Sequence, residues 1–396
     1  MIKIKLIFIS HSAEYGGAEK NLLDIITNID RDYYEVYLLF PREGLFEEEI
    51  RRRGIRCFII NYKYWVDPKP FSLRLLLNLP LNIIGAFRIV RLIKKIGIDM
   101  VYTNTCTVIS GAIASFICGK PHLWHIHEHI GRRGGAFCLP IFNGLIPKLI
   151  HLLSSHIIVN SAAVKDDFPK AYQEKVSTIY YGFEIPADGP KDNEKEEIKR
   201  RYGVEENEKI ISVIGVICDR KGQREATLAL SIIAKEKSNF RLLLAGKEYR
   251  SNRPYISELS AIISRNNLQG RMIFTGFIED IKEIYAISDM LLVPSSAEPF
   301  GRVVVEAMLY GVPVIATRVG GIPEIVEDGK TGILINSRGP EEIAAAILRL
   351  SGAPQEARRL VETARRTAIE RFGMARMMFE IESIIKETWQ RNQRYR

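Results

Sequence analysis

Seven residues separate Glu298 from Glu306 in SSAEPFGRVVVEAMLYGVPVIAT (295–317), an otherwise apolar unit. The pattern predicts a strand ending near Ser295, a Pro-Phe-Gly turn, and a helix from about Gly301 to Gly311. Such a helix starts at a strand's carboxyl end, where first-turn N–H groups and the dipole favour an anion. Gly301, lacking a Cβ, lets the backbone approach a phosphate closely. Helical side chains lean toward the N-terminus, so Glu306 reaches back to the same ligand. Its carboxylate can accept both hydrogen bonds of a vicinal diol. Glu298, ahead of the turn, addresses a different part of the ligand. A phosphate flanked by hydroxyls on both sides describes a nucleotide-sugar. For an isolated pair the plainer reading prevails, with Glu298 capping the helix and Glu306 solvated.

Other chemistry-bearing stretches are weaker alone. Arg220 and Lys221 in VIGVICDRKGQREA (213–226) follow a buried-looking strand, yet Arg-Lys-Gly by itself reads as an exposed turn. Gly16 and Gly17 in SHSAEYGGAEKNLL (10–23) allow a tight turn and close approach to a phosphate or sugar. They are not part of G-x-G-x-x-G, and no acid stands at the dinucleotide spacing. HLWHIHEHI (122–130) holds four of the seven histidines. Alternation puts His125 and His127 on one strand face, with Trp124 and Ile126 on the other. A metal would need further ligands from elsewhere, and none is evident, so no metal is expected. Phe277, in FTGFIEDIKEIYAISD (274–289), reads equally as core.

The elements that must position these residues alternate. Strand-like runs fall at 2–8, 34–40, 100–104, 122–127, 156–160, 209–216, 240–246, 271–277, 290–295 and 312–317, with helical periodicity in most gaps. Nearly continuous apolar strands between helices imply parallel sheets covered on both faces. The polar stretch ADGPKDNEKEEIKRRYGVEENE (187–208) divides the two series. The fold expected is α/β, with Rossmann-like domains over 1–185 and 186–375. A terminal helix, 376–396, packs back toward the first.

At 396 residues two domains are the default, and 46% hydrophobic with 26% charged residues excludes disorder. Five cysteines without C-x-x-C spacing indicate neither a disulfide framework nor zinc. MIKIKLIFIS is too short in its apolar core for a signal peptide. The longest uncharged run, 100–119, opens with polar residues and falls short of the ~20 apolar residues a span needs. The chain therefore reads as cytoplasmic. A net charge of +9 favours anionic partners. LNIIGAFRIVRLIKKIG (81–97) places Arg88, Arg91, Lys94 and Lys95 along one helix face. With RRRGIR (51–56) and apolar GAFCLPIFNGLIPKLIHLL (135–153) it offers a peripheral contact for anionic membrane at its inner face. The preferred reading there is a solvated face on a helix packed against the sheet. Nucleic acid is disfavoured, because stacking aromatics are not interleaved with the basic residues.

EPFGRVVVEAMLYGVPVIAT closely resembles the signature of retaining glycosyltransferases of the GT-B fold, glycosyltransferase family 4, and RVGGIPEIVEDGKTGILI (318–335) continues the pattern. The resemblance covers nearly the whole chain. It implies two lobes with sheets facing across a cleft, and metal-independent transfer from an α-linked nucleotide-sugar donor with configuration kept. The acceptor would be a glycan or a lipid-linked molecule, in cell-envelope or exopolysaccharide synthesis. No cofactor is implied, the nucleotide-sugar being a substrate. Lys221 falls on the lysine that holds the donor pyrophosphate. The arginine expected after Gly215 is Val216 here, which leaves Arg220 as the candidate substitute. Backbone N–H groups of Phe300, Gly301, Arg302 and Val303 would complete the anion site. The resemblance assigns Glu306 to the ribose, Glu298 to the donor sugar, and Gly276 and Phe277 to the base. Gly16 and Gly17 would face the donor, and His127, followed by Glu128, the reacting centre. The alternative, for which Val216 speaks, is a non-catalytic nucleotide-sugar-binding or membrane-associated partner subunit.

Overall fold

The computed structural model describes residues 3–66, 73–131, 144–186, 192–237 and 239–394. Its contacts divide the chain into two compact units, Met1–Gly182 with Met374–Arg396, and Phe183–Gly373.

The first unit is built on β1 (Ile4–Ile9), β2 (Tyr34–Phe40), β3 (Arg56–Ile59), β4 (Met100–Asn104), β5 (His122–Ile126), β6 (His156–Val159) and β7 (Val176–Thr178). They form one parallel sheet in the order β3-β2-β1-β4-β5-β6-β7. IKLIFI is apolar almost throughout because both faces of its strand are covered. Ile4, Leu6 and Phe8 enter one core with Leu22, Ile25 and Ile26 of the helix Gly17–Asn28. Ile7 and Ile9 enter the opposite core with Ile89, Val90 and Ile93 of the helix Leu73–Ile96. Burying each such side chain fully is worth about 1.5–3 kcal/mol. The last helix, Met374–Arg394, adds Met377, Met378, Ile381 and Ile385 to the first of these cores.

The second unit carries β8 (Lys209–Ile214), β9 (Phe240–Ala245), β10 (Met272–Gly276), β11 (Met290–Val293), β12 (Val314–Thr317) and β13 (Ile333–Ile335), all parallel. Their order is β10-β9-β8-β11-β12-β13. In both sheets strand order reverses beside the unit's first strand, between β1 and β4 and between β8 and β11. That reversal opens a crevice at the carboxyl ends, the place where doubly wound sheets bind ligands.

One expectation shifts. The basic helix begins at Leu73 rather than near residue 81, running through Pro80. An internal proline removes one backbone bond. Hydrogen bonds on either side hold this helix through it: Asn78 Nδ2 donates to the Tyr64 carbonyl, and Asn82 Oδ1 accepts from the Lys63 N–H. The divider 187–208 contains the helix Asp192–Arg201, while 187–191 lie outside the described residues, as do 135–143 of the apolar stretch, Cys138 included. Among the described residues no helix is long and apolar enough to cross a membrane.

Candidate active site

In the second unit the β8 and β11 loops meet. The three-residue turn Asp219–Lys221 follows β8 and ends on Gly222 at φ 74°. A Cβ at Gly222 would overlap the Pro294 carbonyl beyond β11, so the loops can touch only at a glycine. The Arg220 carbonyl accepts the Ser296 N–H at 2.9 Å, and Arg220 Nη1 donates to the Ala297 carbonyl at 3.1 Å. Gln223 Nε2 donates to the Val216 carbonyl at 3.0 Å, and Arg338 Nη2 to that of Asp219 at 2.8 Å. The loop is thus anchored at several points along its length.

Glu298 is where these cations converge. Its Oε2 lies 2.6 Å from Lys221 Nζ, 4.0 Å from Arg220 Nη1 and 3.4 Å from Ser295 Oγ, which donates to it. Burial pushes its carboxyl pKa up, but Lys221, then Arg220 and the hydrogen bonds outweigh that and hold it below the usual range. Glu298 does not cap the following helix. The N-cap is Gly301, at φ 107°, with no side-chain bond. The helix Arg302–Leu309 starts there, so its first turn opens beside the Lys221–Glu298 pair.

Glu306 is not a solvated surface acid. It and Arg302 are each only 12% exposed, with Arg302 Nε 3.8 Å from Oε1. Tyr285 donates to Glu306 Oε2 at 2.9 Å and stacks on Tyr310 with centroids 5.3 Å apart. Burial, then the neighbouring Glu306 charge, raise the Tyr285 pKa well above its ordinary value. Phe300 is buried edge-on against Phe372, and the Arg302 guanidinium lies 4.7 Å over the Phe183 ring. Val303 offers its carbonyl to Tyr285 OH at 3.4 Å. Gly276, at φ 68°, ends β10, and its carbonyl accepts the Gly246 N–H at 2.9 Å. Phe277 is 62% exposed, which removes the core reading for it.

In the first unit, Gly16 is the N-cap and Gly17 the first residue of the helix after β1. A Cβ at Gly16 would sit 2.7 Å from Glu19 Oε2, while open space faces Gly17. Glu19 is buried, with Oε1 2.7 Å from His11 Nδ1. Burial lowers the His11 pKa, but the bond to Glu19 and the charges of Glu19 and Glu128 leave it raised overall. Glu128 is half-buried, and desolvation lifts its pKa although the His127 N–H donates to it at 2.8 Å and the Cys106 N–H at 3.4 Å.

His127 follows β5, with both ring nitrogens bonded. Asn160 Nδ2 donates to Tyr181 OH at 2.9 Å, and that hydroxyl meets His127 Nδ1 at 2.7 Å. His127 Nε2 lies 2.7 Å from Asn104 Oδ1, whose amide nitrogen donates to the Ala18 carbonyl at 3.3 Å. Read in sequence, these donors assign His127 the Nε2–H tautomer. The His125 ring is tilted against it, with centroids 4.1 Å apart, and meets Tyr102 OH at 2.7 Å. His122 contacts Thr103 Oγ1 at 2.8 Å, and burial pushes His122 and His125 down to about 3. His129 pairs with Asp167 at 2.8 Å. Among the described residues no group of three or more His, Cys, Asp or Glu is placed to hold a metal ion.

Sequence reasoning missed Tyr285, Tyr181, Asn104 and the His11–Glu19 pair. The available signals were a histidine just beyond β1 and an acid in the first turn after the Gly-Gly.

Two parallel-sheet units, each with polar groups gathered where strand order reverses, define the GT-B class of glycosyltransferase fold. Over 97% of its length the chain is similar to the crystal structure of Anabaena HepE in complex with UDP-glucose, with a TM-score of 0.83, 26% identity and 100% of that chain covered. Residues 15–185 match the family model Glycosyltransferase Family 4, and residues 194–367 match Glycosyl transferases group 1. The chain belongs to this glycosyltransferase family. An uncharacterized glycosyltransferase of Methanocaldococcus jannaschii is 28% identical over 318 residues, 74% of this chain and 78% of that one. The N-acetyl-alpha-D-glucosaminyl L-malate synthase of Bacillus anthracis is 31% identical over 188 residues, 48% of each.

Proposed function

We propose that this glycosyltransferase moves a sugar from a nucleoside-diphosphate sugar to a glycan or lipid-linked acceptor, without a metal and with the anomeric configuration kept. One observation carries the reading: Lys221 and Arg220 from the β8 loop converge on Glu298 from the β11 loop, beside a helix N-terminus. Two cations and a first turn suit a diphosphate, and the adjoining carboxylate suits sugar hydroxyls. HepE, 26–27% identical over 97% of this chain, was crystallised with UDP, glucose and UDP-glucose, which supports a UDP-sugar as the first donor to try.

On this reading Lys221, Arg220 and the N–H groups of Phe300 to Val303 receive the diphosphate. Its arrival draws Lys221 from Glu298, which then accepts from the donor sugar. Glu306, oriented by Tyr285, accepts from the ribose. Gly276 and Phe277 serve the base, and Gly16 and Gly17 the donor. His127, held by Asn104 and Tyr181, is assigned to the reacting sugar by family resemblance. The site works by positioning and by stabilising leaving-group charge. The C1–phosphate bond breaks, the acceptor oxygen bonds C1 on the same face, and its proton passes to the departing phosphate oxygen. Capture of a covalent sugar–enzyme adduct would refute that step.

The assigned place of action is cell-envelope or exopolysaccharide synthesis, on the cytoplasmic side of the membrane. A non-catalytic partner subunit drew its support from Val216. The Arg220 guanidinium beside Glu298 favours the enzyme. Donor turnover with a panel of UDP- and GDP-sugars, with and without EDTA, tests the reading, and the anomeric NMR coupling of the product reports retention. If neither Glu298→Ala nor Lys221→Ala lowers transfer, the site is misassigned.

A further inference from the structure

The helix Leu73–Ile96 has the sequence LRLLLNLPLNIIGAFRIVRLIKKI, with no acidic residue. Its inner face is fixed. Asn82, Ala86, Ile89, Val90 and Ile93 are buried, and a Cβ at Gly85 would lie 3.2 Å from the Asn61 carbonyl. Its outer face changes character along its length. Leu77, Leu79, Leu81, Ile83, Ile84 and Phe87 are 38–68% exposed. Beyond them Arg88, Arg91, Lys94 and Lys95 are exposed as well. Helical spacing sets Leu77, Leu81, Ile84, Arg88, Arg91 and Lys95 on one stripe. That stripe is apolar for three positions and basic for the next three. Six large apolar side chains on one element exceed the scatter of single exposed residues normal for a protein surface.

The charges show what covers this face. Among the described residues none of the four basic groups is in an ion pair, whereas Arg51 and Arg53, in the other basic stretch, pair with Glu47 and Glu49. A second copy packed parallel on the stripe would oppose like charges, and an antiparallel one would set them against leucines. An anionic lipid surface satisfies both halves: acyl chains take the apolar row and headgroup phosphates the basic one. Ile89, Val90 and Ile93 tie the helix to the core of its unit, so it suits lying on a bilayer.

We infer that the outer face of Leu73–Ile96 is a docking surface for anionic membrane. The helix inserts Leu77 to Phe87 at the headgroup boundary and sets Arg88, Arg91, Lys94 and Lys95 against lipid phosphates. The inference does not depend on the assigned donor site, since none of these residues belongs to it.

Flotation of the full chain with vesicles of phosphatidylcholine alone, or equimolar with phosphatidylglycerol, tests it. The unsubstituted protein should float with the anionic vesicles at low salt, and less as salt shortens the Debye length. Each basic residue near such a surface is worth about a fivefold change in partitioning. Arg91→Gln with Lys95→Gln should therefore lose about 25-fold. Ile84→Ser with Phe87→Ser should lose binding while keeping the parent melting temperature, because both side chains are exposed. Parent protein that stays in solution with anionic vesicles at low salt overturns the inference. So does undiminished binding by R91Q/K95Q. A parent dimer that I84S/F87S converts to monomer, with neither protein floating, would make the face a self-association surface instead.

Discussion

Glu298→Gln keeps the side chain's shape and removes the charge that Lys221 meets at 2.6 Å. The two side chains are only 12% and 13% exposed, so the substitution strands an ammonium largely away from water. Removing one partner of a buried pair costs about 3–5 kcal/mol. Arg220, at 4.0 Å and 41% exposed, is screened and compensates little. At about 2–4 °C per kcal/mol for a unit this size, melting should fall by roughly 6–20 °C. Lys221→Met should cost a similar amount by stranding the carboxylate. The double variant leaves no charge and should lose less than the two singles together. Calorimetry of the four proteins closes a double-mutant cycle. A coupling under about 0.5 kcal/mol would refute the pair as a buried, coupled unit. The pH dependence has a definite sign. A carboxyl held below its unfolded value near 4.3 stabilises the fold above that pH and loses its contribution as pH falls through the depressed value. The gap between parent and E298Q should therefore persist from pH 7 to pH 5 and close below about 4. Titration with UDP separates the roles. Lys221→Met should weaken binding about 10–150-fold, the loss of one charge-assisted bond. E298Q should bind UDP at least as well as the parent while transferring sugar poorly. Unchanged UDP affinity in K221M would remove the lysine from the phosphate.

Tyr285→Phe deletes the 2.9 Å bond to Glu306 and should weaken nucleotide binding about fivefold, read by calorimetric titration. Equal affinity would detach Tyr285 from ribose recognition. Gly222→Ala must place a methyl against the Pro294 carbonyl at a left-handed φ, so Lys221 should be displaced and UDP-induced stabilisation lost. Retention of that thermal shift would count against the loop contact. His122 and His125, pushed down to about 3, refuse protons that the unfolded chain accepts below about 6.5. Stability of the first unit should thus fall with acid across that window by about 1.4 kcal/mol per pH unit for each histidine. Urea titrations at pH 7 and pH 5 measure this, and matching midpoints would contradict it.

Legibility in the sequence followed burial. β1, β2, β8 and β9 are covered on both faces and read as nearly continuous apolar runs, whereas β3, β7 and β13 lie at sheet edges with three or four residues each, too short for a pattern. The turn at Gly301 was legible because a glycine there has a conformational cause. The direction of Arg220 was not, since neighbouring loop residues can point apart, and only the turn Asp219–Lys221 turns both side chains toward Glu298. His11 and Glu19 meet through burial of residues eight positions apart across a turn, which no periodicity encodes. Tyr285 was hidden by its own helix, Lys282–Ile287, where an aromatic reads as core until its hydroxyl finds Glu306.

The last helix has a consequence for the order in which the chain can fold during synthesis. Met377, Met378, Ile381 and Ile385 belong to the same core as Ile4, Leu6 and Phe8, so that core lacks part of its wall until the helix Met374–Arg394 has been made. Phe183–Gly373, by contrast, is one continuous segment, and its ends are already joined by the Phe183 N–H to the Phe372 carbonyl at 2.8 Å. A ribosome delivers that segment whole while the earlier one still exposes the groove beside Leu22 and Ile25. The unit translated first is therefore the last to close, and a released chain ending at residue 373 would carry a finished second unit behind an unfinished first.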